Sequence, residues 1–218
     1  MRSLITGLAT ALLATLTFAT KGVDYSTLQS QATNECWKSN GITIAIPRAF
    51  HSNGVFDSNG KTNVHNAHAA GIPEVDIYMF PCRGKNAQTQ ANELVSGMGS
   101  YTYGKIWLDI ETNPSTGCSW GSFSHASNCD FLGELISALK GHGKSVGIYA
   151  TYHMWESIFG SPSSCTGHSA LPLWYAHYDD KETFSDFQHF GGWTSPYLKQ
   201  YADTHYVCGA GVDSNWRP

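Results

Sequence analysis

The chain has 218 residues, 41% of them hydrophobic and 13% aromatic, which supports a sizeable core in one barrel-type domain or two smaller ones. The net charge is −4, only 14% of residues are charged, and no basic stripe occurs, which argues against nucleic acid as a partner and against steering toward anionic polymers. Six cysteines, none arranged as C-x-x-C, point to an oxidising compartment and up to three disulfides rather than a zinc ribbon or a thioredoxin-type site.

The first nineteen residues read as a secretory signal peptide. Arg2 supplies a basic start, positions 4–18 are almost wholly apolar or small, and Thr17-Phe18-Ala19 resembles a small-x-small cleavage site. The run is short for a membrane span, and no later segment could cross a bilayer, so the expectation is a secreted chain, residues 20–218, with no membrane contact after processing. Beyond it, short β-type runs at 22–26, 42–46, 75–80, 106–110, 146–150, 171–178, 187–190 and 211–214 alternate with helical patterns at 27–39, 62–70, 87–98, 129–141 and 152–159. Gly41, Gly71, Gly99, Gly141 and Gly143 stand where helix C-caps belong. Strand–helix alternation predicts a parallel sheet covered by helices, and up to eight strands in this length predict a closed barrel. The weak helical signal between Asp179 and Tyr197 makes it an irregular α/β (β/α) barrel with fewer than eight helices. For the disulfides, Cys118 with Cys129 closes the shortest local loop, and Cys36 can meet Cys208 if the first and last strands are neighbours.

Trp107-Leu108-Asp109-Ile110-Glu111 carries the chemistry. Residues two apart on a strand share a face, so Asp109 and Glu111 look into one cavity, and Thr112-Asn113-Pro114 ends the strand directly after them. Alone, such a pair is often a solvated strand end. Two further acids change the reading: Asp24 in the first strand of the mature chain and Asp213 in the last, which a closed barrel makes neighbours. Four carboxylates around one cavity repel and are desolvated, so at least one pKa rises, as a carboxylic acid acting as proton donor requires. Acids with His177 or His189 nearby also allow a divalent-metal site, but the spacing defines no ligand geometry; no metal or other cofactor is expected.

Gly-Val-Asp-x-Ser at 22–26, Trp-Leu-Asp-Ile-Glu at 107–111, Val-Gly-Ile-Tyr-Ala at 146–150, Leu-Trp-Tyr-Ala-His-Tyr at 173–178, a glutamine in the next strand, and Gly-Val-Asp-Ser-Asn at 211–215 occur in that order. The chain thereby resembles the glycoside hydrolase family 25 (CH-type) lysozymes, in the cysteine-containing secreted eukaryotic branch. The resemblance implies an irregular β/α barrel that cleaves the β-1,4 bond between N-acetylmuramic acid and N-acetylglucosamine in bacterial peptidoglycan. By position, Glu111 would be the general acid, with Asp109, Asp24 and Asp213 lining the same cavity. A carboxylate nucleophile and attack by the substrate's own 2-acetamido oxygen both remain open, with Asp109 or Asp213 in the orienting role for the second. Gln188 would be the strand glutamine and Asn215 a further substrate contact. Phe187 would then replace the tryptophan that precedes this glutamine in many members.

Tyr78, Tyr149 and Trp174 fall at strand C-terminal ends, where aromatic rings can stack on sugar faces. Trp107 packs beneath the site, and Trp37 and Trp155 belong to the core. His65 and His68 read as a solvated helix face, whereas His177 could reach the cleft. Arg48 is expected to meet either a substrate carboxylate or one of the acids. The expected protein is a monomeric, cofactor-free muramidase whose partner is peptidoglycan, released outside the cell or delivered to a phagosomal or lysosomal vacuole. No wall-binding module is expected after Pro218. The rival readings are a chitinase-like glycosidase and a non-catalytic glycan-binding protein on the same fold. The first lacks the D-x-x-D-x-D-x-E run, and the second would predict a lost carboxylate.

Overall fold

The computed structural model describes residues 19–218, so the proposed signal peptide lies outside the described residues apart from Ala19. The chain runs β1 (Thr20–Tyr25), α1 (Gln31–Ser39), β2 (Ile42–His51), β3 (Val55–Phe56), α2 (Asn59–Ala69), β4 (Glu74–Val75), β5 (Ile77–Met79), α3 (Ala87–Met98) and β6 (Lys105–Asp109). It continues through α4 (His125–Gly141), β7 (Ser145–Ala150), α5 (Tyr152–Phe159), β8 (Leu173–Ala176), β9 (Leu198–Val207) and β10 (Ala210–Arg217). Eight strands close into a barrel in the order β1-β10-β9-β8-β7-β6-β5-β2, with β2 returning to β1, while β3 and β4 hang on β2. Among the described residues five α-helices surround it, fewer than eight as the sequence predicts.

Helix starts follow side-chain caps. Ser30, Asn86, Ser124 and Thr151 each accept a hydrogen bond from the backbone N–H three residues on. Two predicted boundaries move for this reason. The first helix begins after Ser30 rather than at Thr27, and the fourth begins after Ser124, four residues ahead of Cys129.

The larger correction concerns the last third. Residues 187–190 form no strand beyond an isolated bridge from Phe190 to Trp193, and the seventh strand of the barrel is β9, which the sequence reading missed. β9 turns into β10 through Cys208 and Gly209, at φ +54° and +77°, between the paired residues Val207 and Ala210. Two left-handed residues in a two-residue loop make the tight hairpin whose twist suits antiparallel strands. β10 is therefore antiparallel to both β9 and β1 in an otherwise parallel ring.

Strand alternation divides the core into two layers. Ile106 and Leu108 face outward with Val146, Ile148 and Ala150 toward the helices, in a layer that also buries Trp37 and Trp155. Inside the barrel, Trp107 packs with Ile44, Ile46, Tyr149, Trp174 and Leu198. Trp107 donates its indole N–H to Asp76 Oδ2 at 2.8 Å and meets Trp174 edge-on at 5.7 Å. It needs Gly147 opposite, because a Cβ there would lie 2.4 Å from its ring. Trp174 and Tyr149 of this inner layer also line a cavity at the mouth.

The disulfides are Cys36–Cys208, Cys82–Cys118 and Cys129–Cys165. The first is the pairing expected from neighbouring first and last strands. The local Cys118–Cys129 pairing is not formed: Cys129 lies within α4, and Cys118 instead joins the segment after β6 to Cys82, which follows β5. Among the described residues no helix is long and apolar enough to cross a membrane.

Candidate active site

At the mouth lies a cavity of about 130 Å³ lined by Asp24, Tyr78, Asp109, Glu111, Tyr149, Trp174, Tyr178, Gln200 and Asp213. Asp24 and Asp213 are register partners across β1 and β10. Asp213 reaches the mouth not from a C-terminal strand end, as expected, but from the N-terminal half of a reversed strand. A register shift between β9 and β10 falls at this point. There Thr204, at φ +40°, donates its backbone N–H to Asp213 Oδ1 at 2.8 Å. The irregularity aims the carboxylate as β-bulges commonly do.

Asp109 ends β6 on the inward face that Trp107 shares. Glu111 lies just past the strand, its backbone held where its carbonyl accepts the indole N–H of Trp120 at 2.9 Å. Trp120 is wedged edge-on against Phe131 of α4 and Phe159 of α5, so two helices hold the segment carrying Glu111.

Gln200 joins the parts. Its amide nitrogen donates to Asp24 Oδ1 at 2.9 Å and Asp213 Oδ2 at 3.2 Å, and its oxygen accepts from the hydroxyls of Tyr149 at 2.6 Å and Tyr178 at 2.9 Å. Asn215 lies beneath, fully buried, donating to Asp24 Oδ1 at 2.7 Å and accepting the Trp174 indole N–H at 2.7 Å. Its amide is thus committed to holding Asp24, and it does not line the cavity as a direct substrate contact.

The electrostatics follow from burial and crowding. Burial first, then the neighbouring Asp213, pushes the Asp24 carboxyl up to about 7 against the opposing hydrogen bonds from Asn215 and Gln200. Asp109 is raised well above the carboxylate range by burial, then by Glu111 and Asp24, and its Oδ1 has no hydrogen-bond partner among the described residues. Glu111 is raised by burial and then Asp213; Asp213 is raised by burial, with the Thr204 N–H opposing. Such a cluster holds protons near neutrality and can donate one to a leaving oxygen. The tyrosine hydroxyls remain neutral donors: burial raises Tyr178 to about 12 and pushes Tyr78 and Tyr149 well above their ordinary value.

Of the residues expected from sequence, Asp24, Asp109, Glu111, Asp213, Tyr78, Tyr149 and Trp174 meet at this cavity. Gln188 does not; it lines a separate cavity beside β7 and β8. The glutamine at the carboxylates is Gln200, preceded by Lys199, so the expected Phe-for-Trp replacement at Phe187 falls outside this strand. Gln200 and Tyr178 were the residues missed. Tyr178 stands inside a motif already singled out, but β9 gave no apolar signal because its second residue is the fully buried Lys199, which donates to Asp179 and Asp186 at 2.8 and 3.0 Å.

His177 bonds Asp186 on the outer side rather than entering the cavity, and Arg48 pairs with Asp57 at 2.9 Å rather than with any of the four acids. His177, Asp179 and Asp186 approach as a metal-binding trio would, but the Lys199 ammonium already bridges the two carboxylates.

A family model described as Lysozyme-like protein 1 matches residues 15–201. The chain is 44% identical over 92% of its length to the probable GH family 25 lysozyme 2 of Dictyostelium discoideum, covering 92% of that protein. Its fold superposes on the bacterial lysozyme of Streptomyces coelicolor with a TM-score of 0.76 at 26% identity, covering 90% of each chain. It also superposes on a family GH25 lysozyme from Aspergillus fumigatus with a TM-score of 0.77 at 21% identity, covering 92% of this chain and 94% of that one. Relatedness at this identity over nearly the whole length places the chain, as a glycoside hydrolase, in the family 25 lysozymes.

Proposed function

We propose that this enzyme hydrolyses the β-1,4 bond between N-acetylmuramic acid and N-acetylglucosamine of bacterial peptidoglycan, with Glu111 as the general acid. The observation that carries the reading is Glu111 itself: it is the carboxyl on the segment just past β6, it faces the cavity, and its proton affinity is raised. Glu111 gives its proton to the glycosidic oxygen as the bond to C1 breaks. The 2-acetamido oxygen of the same sugar closes on C1 to form an oxazolinium ion. Water, deprotonated by the Glu111 carboxylate, then opens that ion and restores the acid. Asp109, which lines the cavity beside Glu111, orients the acetamido group. Tyr78 and Trp174 form the walls against which the sugar rests.

The apolar leader and three disulfides support delivery through the secretory route, either outside the cell or to a digestive vacuole, where the enzyme degrades bacteria. Mass spectrometry of fragments released from purified peptidoglycan tests the chemistry. Wild type should yield muropeptides ending in reducing N-acetylmuramic acid, and Glu111→Gln should yield at least a hundredfold less. Undiminished release by Glu111→Gln would remove the acid assignment, and fragments ending in reducing N-acetylglucosamine would remove the bond assignment.

A further inference from the structure

A second cavity, of about 120 Å³ and holding Gln188, lies beside the ends of β7 and β8. We propose that it binds an N-acetylated sugar of the glycan strand remote from the cleaved bond. The inference rests on the glycan-hydrolase reading above and extends it to a subsite.

The two cavities share their supports. β7 ends with Tyr149 in the catalytic cavity and leads to Thr151 and Tyr152 in the second. β8 and its extension alternate between them, with Trp174 and Tyr178 in the first and Tyr175 and His177 in the second. The Glu111 segment leans on the start of α5, where the Thr112 hydroxyl meets Met154 Sδ at 3.2 Å, directly beside His153. A polymer leaving the catalytic cavity over this edge therefore meets the second one.

Its lining fits a neutral polar ring. Tyr152 and Phe187 offer aromatic surface, and the exposed His153 imidazole and Gln188 amide stand beside them. The acid in the wall, Asp186, is already committed to His177, Lys199 and Tyr175. Aromatic faces beside exposed polar side chains, with the wall's acid already paired, suit a sugar hydroxyl and acetamide better than an ionic ligand.

His153 and Gln188 are exposed, so the double substitution His153→Ala/Gln188→Ala leaves the core intact. Against polymeric peptidoglycan it should raise KM about tenfold with kcat unchanged, the loss of one to two hydrogen bonds. An unchanged KM overturns the proposal. A second measurement is independent of hydrolysis: titration of Glu111→Gln with N-acetylglucosamine hexamer, followed by side-chain NMR signals of Tyr152 and Phe187. Shifts that saturate with the hexamer, and disappear in the His153→Ala/Gln188→Ala background, support the site even if no muropeptide were ever released. Signals that stay in place overturn it even if the catalytic reading holds.

Discussion

Asp24 and Asp213 face each other across β1 and β10, and the side-chain amide of Gln200 donates to both. One neutral residue thus holds together two acids that would otherwise repel, while its carbonyl oxygen orients the hydroxyls of Tyr149 and Tyr178.

Removing that amide should be costly. Gln200→Ala leaves buried oxygens of Asp24 and Tyr149 short of a partner, at a cost of about 2–4 kcal/mol in chemical unfolding. Activity should fall at least tenfold with KM little changed, because the acids move rather than the sugar walls. A variant with wild-type stability and turnover would make the bridge incidental.

The raised acids make stability depend on pH in a definite direction. Asp24 titrates near 7 when folded against 3.8 ordinarily, so between those values the folded state holds the extra proton. Its stabilising contribution is complete below about 3.8 and is lost as pH rises through about 7. Asp109, Glu111 and Asp213 shift in the same direction, whereas Asp186, held near 2 because hydrogen bonds from His177, Lys199 and Tyr175 outweigh burial, acts only at lower pH. The melting temperature should therefore decline from about pH 4 to pH 7, and less steeply in Asp24→Asn. Parallel slopes for the two proteins would contradict the shift assigned to Asp24.

Gly147 is needed for the barrel to be filled. In Gly147→Ala the new methyl would meet the Trp107 ring at 2.4 Å, with Trp174 and Tyr197 preventing retreat. The overpacking should cost about 1–3 kcal/mol, read by urea unfolding with a shifted tryptophan emission. Because Trp107 and Asp109 share one face, turnover should fall as well.

The Cys82–Cys118 disulfide closes 36 residues and ties down the segment that follows Glu111. The double change Cys82→Ser/Cys118→Ser should lower stability by about 3–4 kcal/mol on the loop-entropy estimate. At a temperature where it remains folded, kcat should fall more than for the equivalent change at Cys129 and Cys165, whose disulfide ties α4 to residue 165. Equal loss at the two sites would mean the crosslink acts on stability alone.

Much of this was legible along the chain because the relevant signals are local. The D-x-E at 109 and 111 follows an apolar run whose period places Trp107 and Asp109 on one face, and the structure keeps that arrangement. The helices at 87–98 and 152–159 begin and end where predicted, each marked by a polar cap and a following glycine. β9 was illegible because its inner half reads Leu-Lys-Gln-Tyr, and a buried lysine and glutamine imitate a solvated segment until their partners are known.

Local pattern alone therefore determined which residues could be acids at a strand end and which elements would alternate around them. The tertiary structure decided which glutamine meets the acids, that the last strand runs backward, and that Asp24 and Asp213, expected as neighbours if the barrel closed, share one amide donor. These are consequences of hairpin direction and barrel closure, which join residues nearly two hundred positions apart, where no local periodicity reaches.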